Sequence, residues 1–299
     1  MSPSPIHRRE ALWLLGGGAL ALAGCRGARA NTVVAGSKNF SEQILLGELL
    51  AQQIEAHTPL RVDRRLNLGG TFVCHQALLA GQMDLYVEYT GTALTAILGA
   101  PSSGDPAAVY RAVREAYGSR FGFEVGPPLG FNNTFAIVVR GEDARQLGLR
   151  AISDLARVAP QWRAGFGYEF MERSDGYRGL AGTYGLRFAS EPRIMDLGLL
   201  YRALSDKQVD VVAGNSTDGL IAVLEMVVLE DDRHYFPPYQ AVTVVRGEAL
   251  RQHPDLRSAL DVLGGRISDD DMRRMNYAVD GEHRDPASIV REFRIAQSL

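Results

Sequence analysis

A chain of 299 residues that is 46% hydrophobic and 22% charged has an ordinary globular composition, and at that length one core usually gives way to two domains. Its net charge of −3 excludes the basic footprint of a nucleic-acid binder. Two cysteines exclude a disulfide framework and a four-cysteine zinc site, and the six histidines show no HExxH or His-x3-His spacing, so neither metal nor cofactor is called for.

The N-terminus reads as an address. His7-Arg8-Arg9 is a short positive start, and the apolar run from Ala11 to Gly24 is too short to span a bilayer comfortably. Residues 1–24 therefore read as a signal peptide and are set aside from the fold. The run ends in Leu22-Ala23-Gly24-Cys25, which looks like a bacterial lipoprotein signal with Cys25 as the lipidated new N-terminus. The plainer alternative is a secretory signal with an incidental Cys25. The Arg8-Arg9 pair leaves twin-arginine export open. Cys74, the other thiol, lies in an apolar helical stretch and reads as a buried small hydrophobe.

Strands and helices then alternate. Thr32 to Gly36 is β-prone, and Asn39 with Glu42 resembles a capping box ahead of Ile44, Leu45, Leu49, Leu50 and Ile54 at helical spacing. Arg61 to Leu68 reads as a strand, Gly69-Gly70-Thr71 turns into a helix that stops at Gly81, and Asp84 to Val87 is a strand followed by a helix opening at Gly91-Thr92. Phe135 to Val139 is a strand, Glu142 to Ala159 is helix and loop, and Trp162 to Phe166 is extended. A helix at Leu197–Leu204, strands at Val209–Ala213 and Ala241–Val245, and helices at Asp269–Tyr277 and Pro286–Ala296 complete the chain. Such alternation predicts α/β architecture with mostly parallel sheets and helices on both faces.

One internal echo divides the chain. Ala77 to Leu85 matches Ala203 to Val211 at an offset of 126, each copy ending a helix, turning, and entering a strand that runs into a polar, Gly-containing turn. The echo predicts two similar lobes whose strand ends face each other across a cleft, the edge where open α/β sheets bind ligands. No G-x-S-x-G elbow, P-loop or G-x-G-x-x-G after a strand is present, and the acidic runs Glu230–Asp232 and Asp269–Asp271 read as helix-end or solvated features. Aromatic residues instead concentrate in turns, among them Phe40, Tyr89, Phe135, Phe170, Phe236 and Tyr239. Ring faces at strand ends can box a cation, although core packing would account for most of them.

Gly36-Ser37-Lys38-Asn39-Phe40-Ser41-Glu42-Gln43, Leu66-Asn67-Leu68-Gly69-Gly70-Thr71, Glu88-Tyr89-Thr90-Gly91-Thr92, Leu129 to Thr134, Ser216-Thr217-Asp218-Gly219 and Leu229 to Asp232 with Phe236 to Tyr239 occur in one order along the chain. Together they resemble the substrate-binding proteins of osmoprotectant ABC importers, whose ligands are glycine betaine, choline, carnitine and related quaternary amines. The resemblance runs from about residue 32 to the C-terminus. It implies a two-lobed, periplasmic-binding-protein-like (type II) α/β fold with a two-strand hinge and a central cleft. Lobe one is then residues 31–136 and 241–299, and lobe two residues 137–240. It also implies an aromatic box at Tyr89, Phe135, Asn215 and Tyr239, and a carboxylate site at Lys38, Thr92 and Arg173. Phe135 keeps a ring without a hydroxyl. Asn215 replaces a ring, in a turn where the family commonly has Tyr-Ser-Thr-Asp-Gly. Lys38 could otherwise be a solvated loop lysine, and Arg173 part of a structural ion pair.

The implied function is capture of a quaternary amine or zwitterion by a lipid-anchored, periplasmic or extracytoplasmic protein that delivers it to ABC permease and ATPase subunits. Losing one ring at Asn215 removes about 0.5–2 kcal/mol of cation–π attraction. Either betaine then binds weakly or Asn215 hydrogen-bonds a different ligand, such as ergothioneine or a modified amino acid. An exported enzyme on the same scaffold is the alternative from another class, and it lacks any evident nucleophile–base pair in the sequence.

Overall fold

The computed structural model describes residues 31–101 and 103–299. The signal peptide and the lipidation of Cys25 lie outside the described residues.

Among the described residues, ten strands form two five-stranded sheets. The first contains β1 (Thr32–Lys38), β2 (Arg61–Gly69), β3 (Leu85–Tyr89), β4 (Phe123–Asn132) and β10 (Gln240–Arg246), in the order β2-β1-β3-β10-β4. The second contains β5 (Phe135–Arg140), β6 (Ala164–Phe166), β7 (Arg193–Ile194), β8 (Val211–Asn215) and β9 (Met226–Val228), in the order β7-β6-β8-β5-β9. Each order has one pattern: three parallel strands, then a strand from elsewhere in the chain running antiparallel, then an edge strand antiparallel to it. The sheets are thus mixed rather than mostly parallel. The reason is that β5 and β10 cross between sheets and enter from the end opposite to the α/β units.

The repeated nonapeptide explains how the crossing strands are pinned. Asp84 and Asp210 sit at the foot of the third strand of each sheet. Asp84 accepts from the Val34 N–H (2.9 Å) and from Arg246 at the end of β10 (3.0 Å). Asp210 accepts from the Arg163 N–H (2.9 Å) and from Arg140 at the end of β5 (3.0 Å). One carboxylate in each sheet thereby ties a parallel strand to the crossing strand, β1 to β10 in the first and the start of β6 to β5 in the second.

Side chains alternate across each strand, so both faces of each sheet carry a core. On β3, Leu85, Val87 and Tyr89 join one cluster with Leu45, Leu49 and Ile54 of the helix Ser41–His57, while Tyr86 joins Val113 and Tyr117 of the helix Pro106–Phe121 on the other face. In the second sheet, Ile137 and Val139 face one cluster and Ala136 and Val138 the other. Each large apolar side chain so buried contributes roughly 1.5–3 kcal/mol. Helix ends follow local chemistry: Asp105 caps Pro106–Phe121 through the Ala107 N–H, and Gly122 closes it in the left-handed region. At Ser41–His57 the expected capping box is absent. Phe40 occupies the cap position without a side-chain bond, and Glu42 turns into the interior.

The segments that cross between the sheets lie side by side. The Asn133 N–H donates to the Tyr239 carbonyl (3.0 Å), and the Tyr239 N–H donates to Asn132 Oδ1 (2.6 Å). Strand ends β1, β3 and β8 and the two crossings therefore converge on one space between the sheets.

Candidate functional site

A cavity of about 50 Å³ occupies that space, and all seven residues singled out from the sequence line it: Lys38, Tyr89, Thr92, Phe135, Arg173, Asn215 and Tyr239. Phe40, Asn133, Glu169, Phe170 and Leu197 complete most of the wall.

Lys38 is the last residue of β1 and only 2% exposed. It is no solvated loop lysine. Its Nζ donates to Glu88 (2.5 Å) and stands 5.1 Å from the centre of the Tyr89 ring. Glu88 also accepts from the Tyr89 N–H and the Tyr86 hydroxyl, so the buried carboxylate is fully engaged.

Arg173, 6% exposed, is the second buried cation. Its Nε and Nη2 fork onto Asp175 (2.8 and 2.6 Å), and Nη2 also reaches Thr92 Oγ1 (3.1 Å). The ion-pair reading of Arg173 is thus correct, and it coexists with a place in the cavity wall. The guanidinium lies 4.8 Å from the Phe135 ring centre and 5.9 Å from that of Tyr239. Asp175 further accepts from the hydroxyls of Tyr239 (2.6 Å) and Thr95 (2.7 Å). Burial pushes the Asp175 carboxyl up, and the Arg173 hydrogen bonds and charge outweigh it, holding the group below its usual range.

Phe135, Phe170 and Tyr239 form the aromatic side of the cavity, with ring centres 4.8 Å (Phe135–Phe170) and 5.9 Å (Phe135–Tyr239) apart in edge-on contact. Tyr239 fits because position 91 is glycine: a Cβ there would come within 2.6 Å of its ring and 2.7 Å of the Pro238 carbonyl. Asn215, at the end of β8, pairs with Phe135 across the ladder. Its N–H donates to Asp218 Oδ2 (2.8 Å), and its side-chain Nδ2 lies 3.5 Å from Asp218 Oδ1. Burial, with Glu42 and Asp280 adding negative charge, raises the Asp218 carboxyl to about 6 despite bonds from Tyr201 and Asn215.

The capping-box expectation hid the main polar hub. Glu42 is buried and accepts from Tyr89 Oη (2.6 Å), Asn133 Nδ2 (2.7 Å), Thr217 Oγ1 (2.5 Å) and Asn276 Nδ2 (3.0 Å). Burial raises its carboxyl above the usual range even so. Glu42 orients Tyr89 and ties the first sheet's unit to the loop after β8. Two further clasps bridge the same gap: Glu169 takes the Thr71 N–H and hydroxyl at the start of the helix Thr71–Leu79, and Asp175 takes Thr95. Glycine at 70 leaves room for this clasp: a Cβ there would come within 2.2 Å of Glu169 Oε1 and displace the carboxylate. Asp175 was legible as the acid two residues after Arg173, and Glu42 as an acid inside the first motif. Neither partner set has a sequence signal.

With the geometry in place, comparison with known proteins decides the family. Residues 31–296 match the model of the substrate-binding domain of ABC-type glycine betaine transport systems. This chain belongs to that family. It is similar to the carnitine transport binding protein OpuCC of Listeria monocytogenes, 35% identical over 274 residues covering 91% of this chain and 89% of the relative. It is also similar to the ergothioneine transport permease/ergothioneine binding protein EgtU of Helicobacter pylori, 32% identical over 285 residues that cover 95% of this chain and 49% of that protein. A crystal structure of a glycine betaine/carnitine/choline ABC transporter is 35% identical, with a TM-score of 0.73, covering 89% of this chain and 98% of the other. The fold is thus the two-lobed α/β fold of periplasmic binding proteins, and the chain is a substrate-binding transport component of the osmoprotectant class. No helix among the described residues is long and apolar enough to cross a membrane.

Proposed function

We propose that this protein captures a quaternary-amine zwitterion of the glycine betaine or carnitine type in the cavity between its lobes and hands it to the permease of an ABC importer, an extracytoplasmic task performed on a lipid tether at Cys25. Each lobe is built on one of the two sheets, so the boundaries expected from the sequence move by a residue or two: Phe135 and Ala136, as part of β5, go with the second lobe, and Gln240, as part of β10, with the first. The observation that carries the reading is the convergence of Lys38, Arg173, Thr92 and the rings of Tyr89, Phe135 and Tyr239 on one cavity. A trimethylammonium group has no N–H, so only ring faces and carboxylate charge attract it; a ligand carboxylate needs a cation and a hydroxyl. Both sets are adjacent here. Each cation already has a carboxylate partner and Glu169 adds a further carboxylate to the wall, so the cavity has no excess positive charge, which suits a zwitterion better than an anion. Binding draws the lobes together because only the closed form offers both sets of contacts.

A second reading, a larger betaine-like solute, is favoured by Asn215, which supplies an amide where a ring would complete the box. A thermal-shift screen of purified protein against glycine betaine, carnitine, choline and ergothioneine tests both. A rise in melting temperature with a quaternary amine is expected; stabilisation by none of them refutes the assignment.

A further inference from the structure

A groove of about 330 Å³ adjoins the ligand cavity, and Phe40, Glu169 and Leu197 line both. One wall comes from the first lobe, where Phe72 and Val73 open the helix Thr71–Leu79; the other comes from the second lobe, with Tyr168, Glu172 and Met195 among its residues. Of the twelve large hydrophobic side chains exposed among the described residues, Phe72, Val73 and Tyr168 line the groove, and Leu68, Ile194 and Leu199 stand within two residues of its walls. Half of the set thus gathers at one place, whereas singly scattered ones would need no explanation. The helix Thr71–Leu79 has no charged residue, and its one titratable group, His75, is buried, so the face it shows to solvent is Phe72, Val73, Gln76 and Leu79. A surface helix ordinarily turns charged and polar residues outward. The polar part of the groove is acidic: Glu169, Glu172 and Asp196 line it, with no lysine, arginine or histidine beside them. The nearby cations are engaged elsewhere. Lys38 and Arg173 line the ligand cavity, paired with Glu88 and Asp175, and Arg193 donates to the Gln208 carbonyl (3.4 Å). Glu169 is held by the Thr71 N–H and hydroxyl across the lobe boundary, while Glu172, bonded by the Tyr168 hydroxyl, and Asp196 stand exposed.

We infer that this groove docks an extracytoplasmic segment of the ABC permease, one that carries a lysine or arginine among apolar side chains. The inference rests on the transport reading above. Apolar side chains along the walls fit an apolar partner, and acids without a cation fit a basic one. An occupant of the groove touches Phe40, Glu169 and Leu197, which also bound the ligand cavity, so it stands beside the ligand itself. The partner that receives the ligand is the permease. The two walls belong to different lobes, so opening about the crossing strands parts them and the groove is whole only in the closed form. A permease segment that fits both walls therefore binds closed protein in preference to open.

Site-specific photocrosslinking of the full chain in its host cells tests this. The photoreactive amino acid p-benzoylphenylalanine replaces Phe72 in one variant and Tyr168 in another. Controls carry it at Val223 and Ile295, which are 52% and 73% exposed and line no part of the groove. Irradiation should join both groove positions, and neither control, to a multi-spanning ABC permease through a peptide that contains a lysine or arginine. Glu172→Arg combined with Asp196→Arg should cut the yield from position 72 at least about tenfold. The same pair should leave melting temperature and glycine betaine affinity unchanged, because both acids are exposed and neither lines the ligand cavity. Permease cross-links from the controls that match or exceed those from the groove overturn the docking site and leave the transport reading intact. Capture by only one groove position overturns the two-lobe site, and an undiminished yield after charge reversal overturns the basic partner. Cross-linking of the groove to a second copy of this chain, or to a protein outside the importer, overturns the inference as well. No permease from any of the four positions overturns both this site and the permease as partner.

Discussion

Asp175→Asn isolates the pair that holds Arg173 in the cavity wall. The wild-type carboxylate accepts four hydrogen bonds: Arg173 Nε at 2.8 Å on one oxygen, and Arg173 Nη2, Thr95 Oγ1 and Tyr239 Oη at 2.6–2.7 Å on the other. Asparagine has the same shape but one acceptor oxygen, so its NH2 must face a donor wherever it turns. The guanidinium stays buried and loses its counter-charge. Breaking a buried ion pair while leaving one partner in place costs about 3–5 kcal/mol, or a melting-point drop on the order of 6–20 °C for a chain of this size. The pH dependence has a definite sign. The folded-state carboxyl is held below its ordinary value, so its contribution is complete above about pH 4 and is lost as pH falls through the depressed value. The deficit of Asp175→Asn should therefore be constant from neutral pH to about pH 5 and shrink only in stronger acid. Urea unfolding at pH 7 and pH 3 measures both. A loss below about 1 kcal/mol at pH 7 would mean that Arg173 is not paired as described.

Thr217→Val removes the Glu42 bond that ties the loop after β8 to the first sheet's unit; a hydrogen bond to a charged group is worth about 1.5–3 kcal/mol, so ligand affinity by calorimetry should fall by about 10–100-fold if that bond exists only on closure. Unchanged affinity would show that it persists in the open form. Asp218, raised to about 6 in the fold, contributes stability that is present below its ordinary value and lost as pH rises towards 6; wild type should thus gain stability over Asp218→Asn on acidification from pH 7 to pH 5, measured by urea titration, and parallel curves would refute the shift. Cys74 is fully buried with its thiol pushed up to about 12 by desolvation, so a thiol-reactive chromophore should label it in denaturant and not in the native protein; rapid native labelling would contradict its placement.

Features that depend on local pattern were legible in the sequence, and those that depend on topology were not. The nine-residue echo at an offset of 126 was legible because it has a mechanical cause: Asp84 ties β1 to β10, and Asp210 ties the start of β6 to β5. The antiparallel entry of β5 and β10 was not legible, because hydrophobic alternation carries no information on strand direction. The seven cavity residues were named from a family resemblance, and they converge although they lie on strands and loops up to 201 residues apart, from Lys38 to Tyr239. Glu42 was misjudged for a physical reason. An acid three residues after an asparagine at a helix start looks like a capping box, and nothing local reveals that Thr217, 175 residues on, will bond it. Asp175 organises Arg173, Tyr239 and Thr95 together, partners up to 80 residues away that no local pattern announces.

The proposed capture holds a quaternary ammonium group against the ring of Tyr239. Calorimetric titration of wild type, Tyr239→Phe and Tyr239→Ala with glycine betaine and carnitine tests it most directly. Removing the ring costs on the order of 1–2 kcal/mol, so Tyr239→Ala should bind about 5–30-fold more weakly, while Tyr239→Phe keeps the face, loses only the Asp175 hydrogen bond, and should bind better than the alanine variant. Wild-type affinity in Tyr239→Ala would mean that the ammonium group does not rest on this ring.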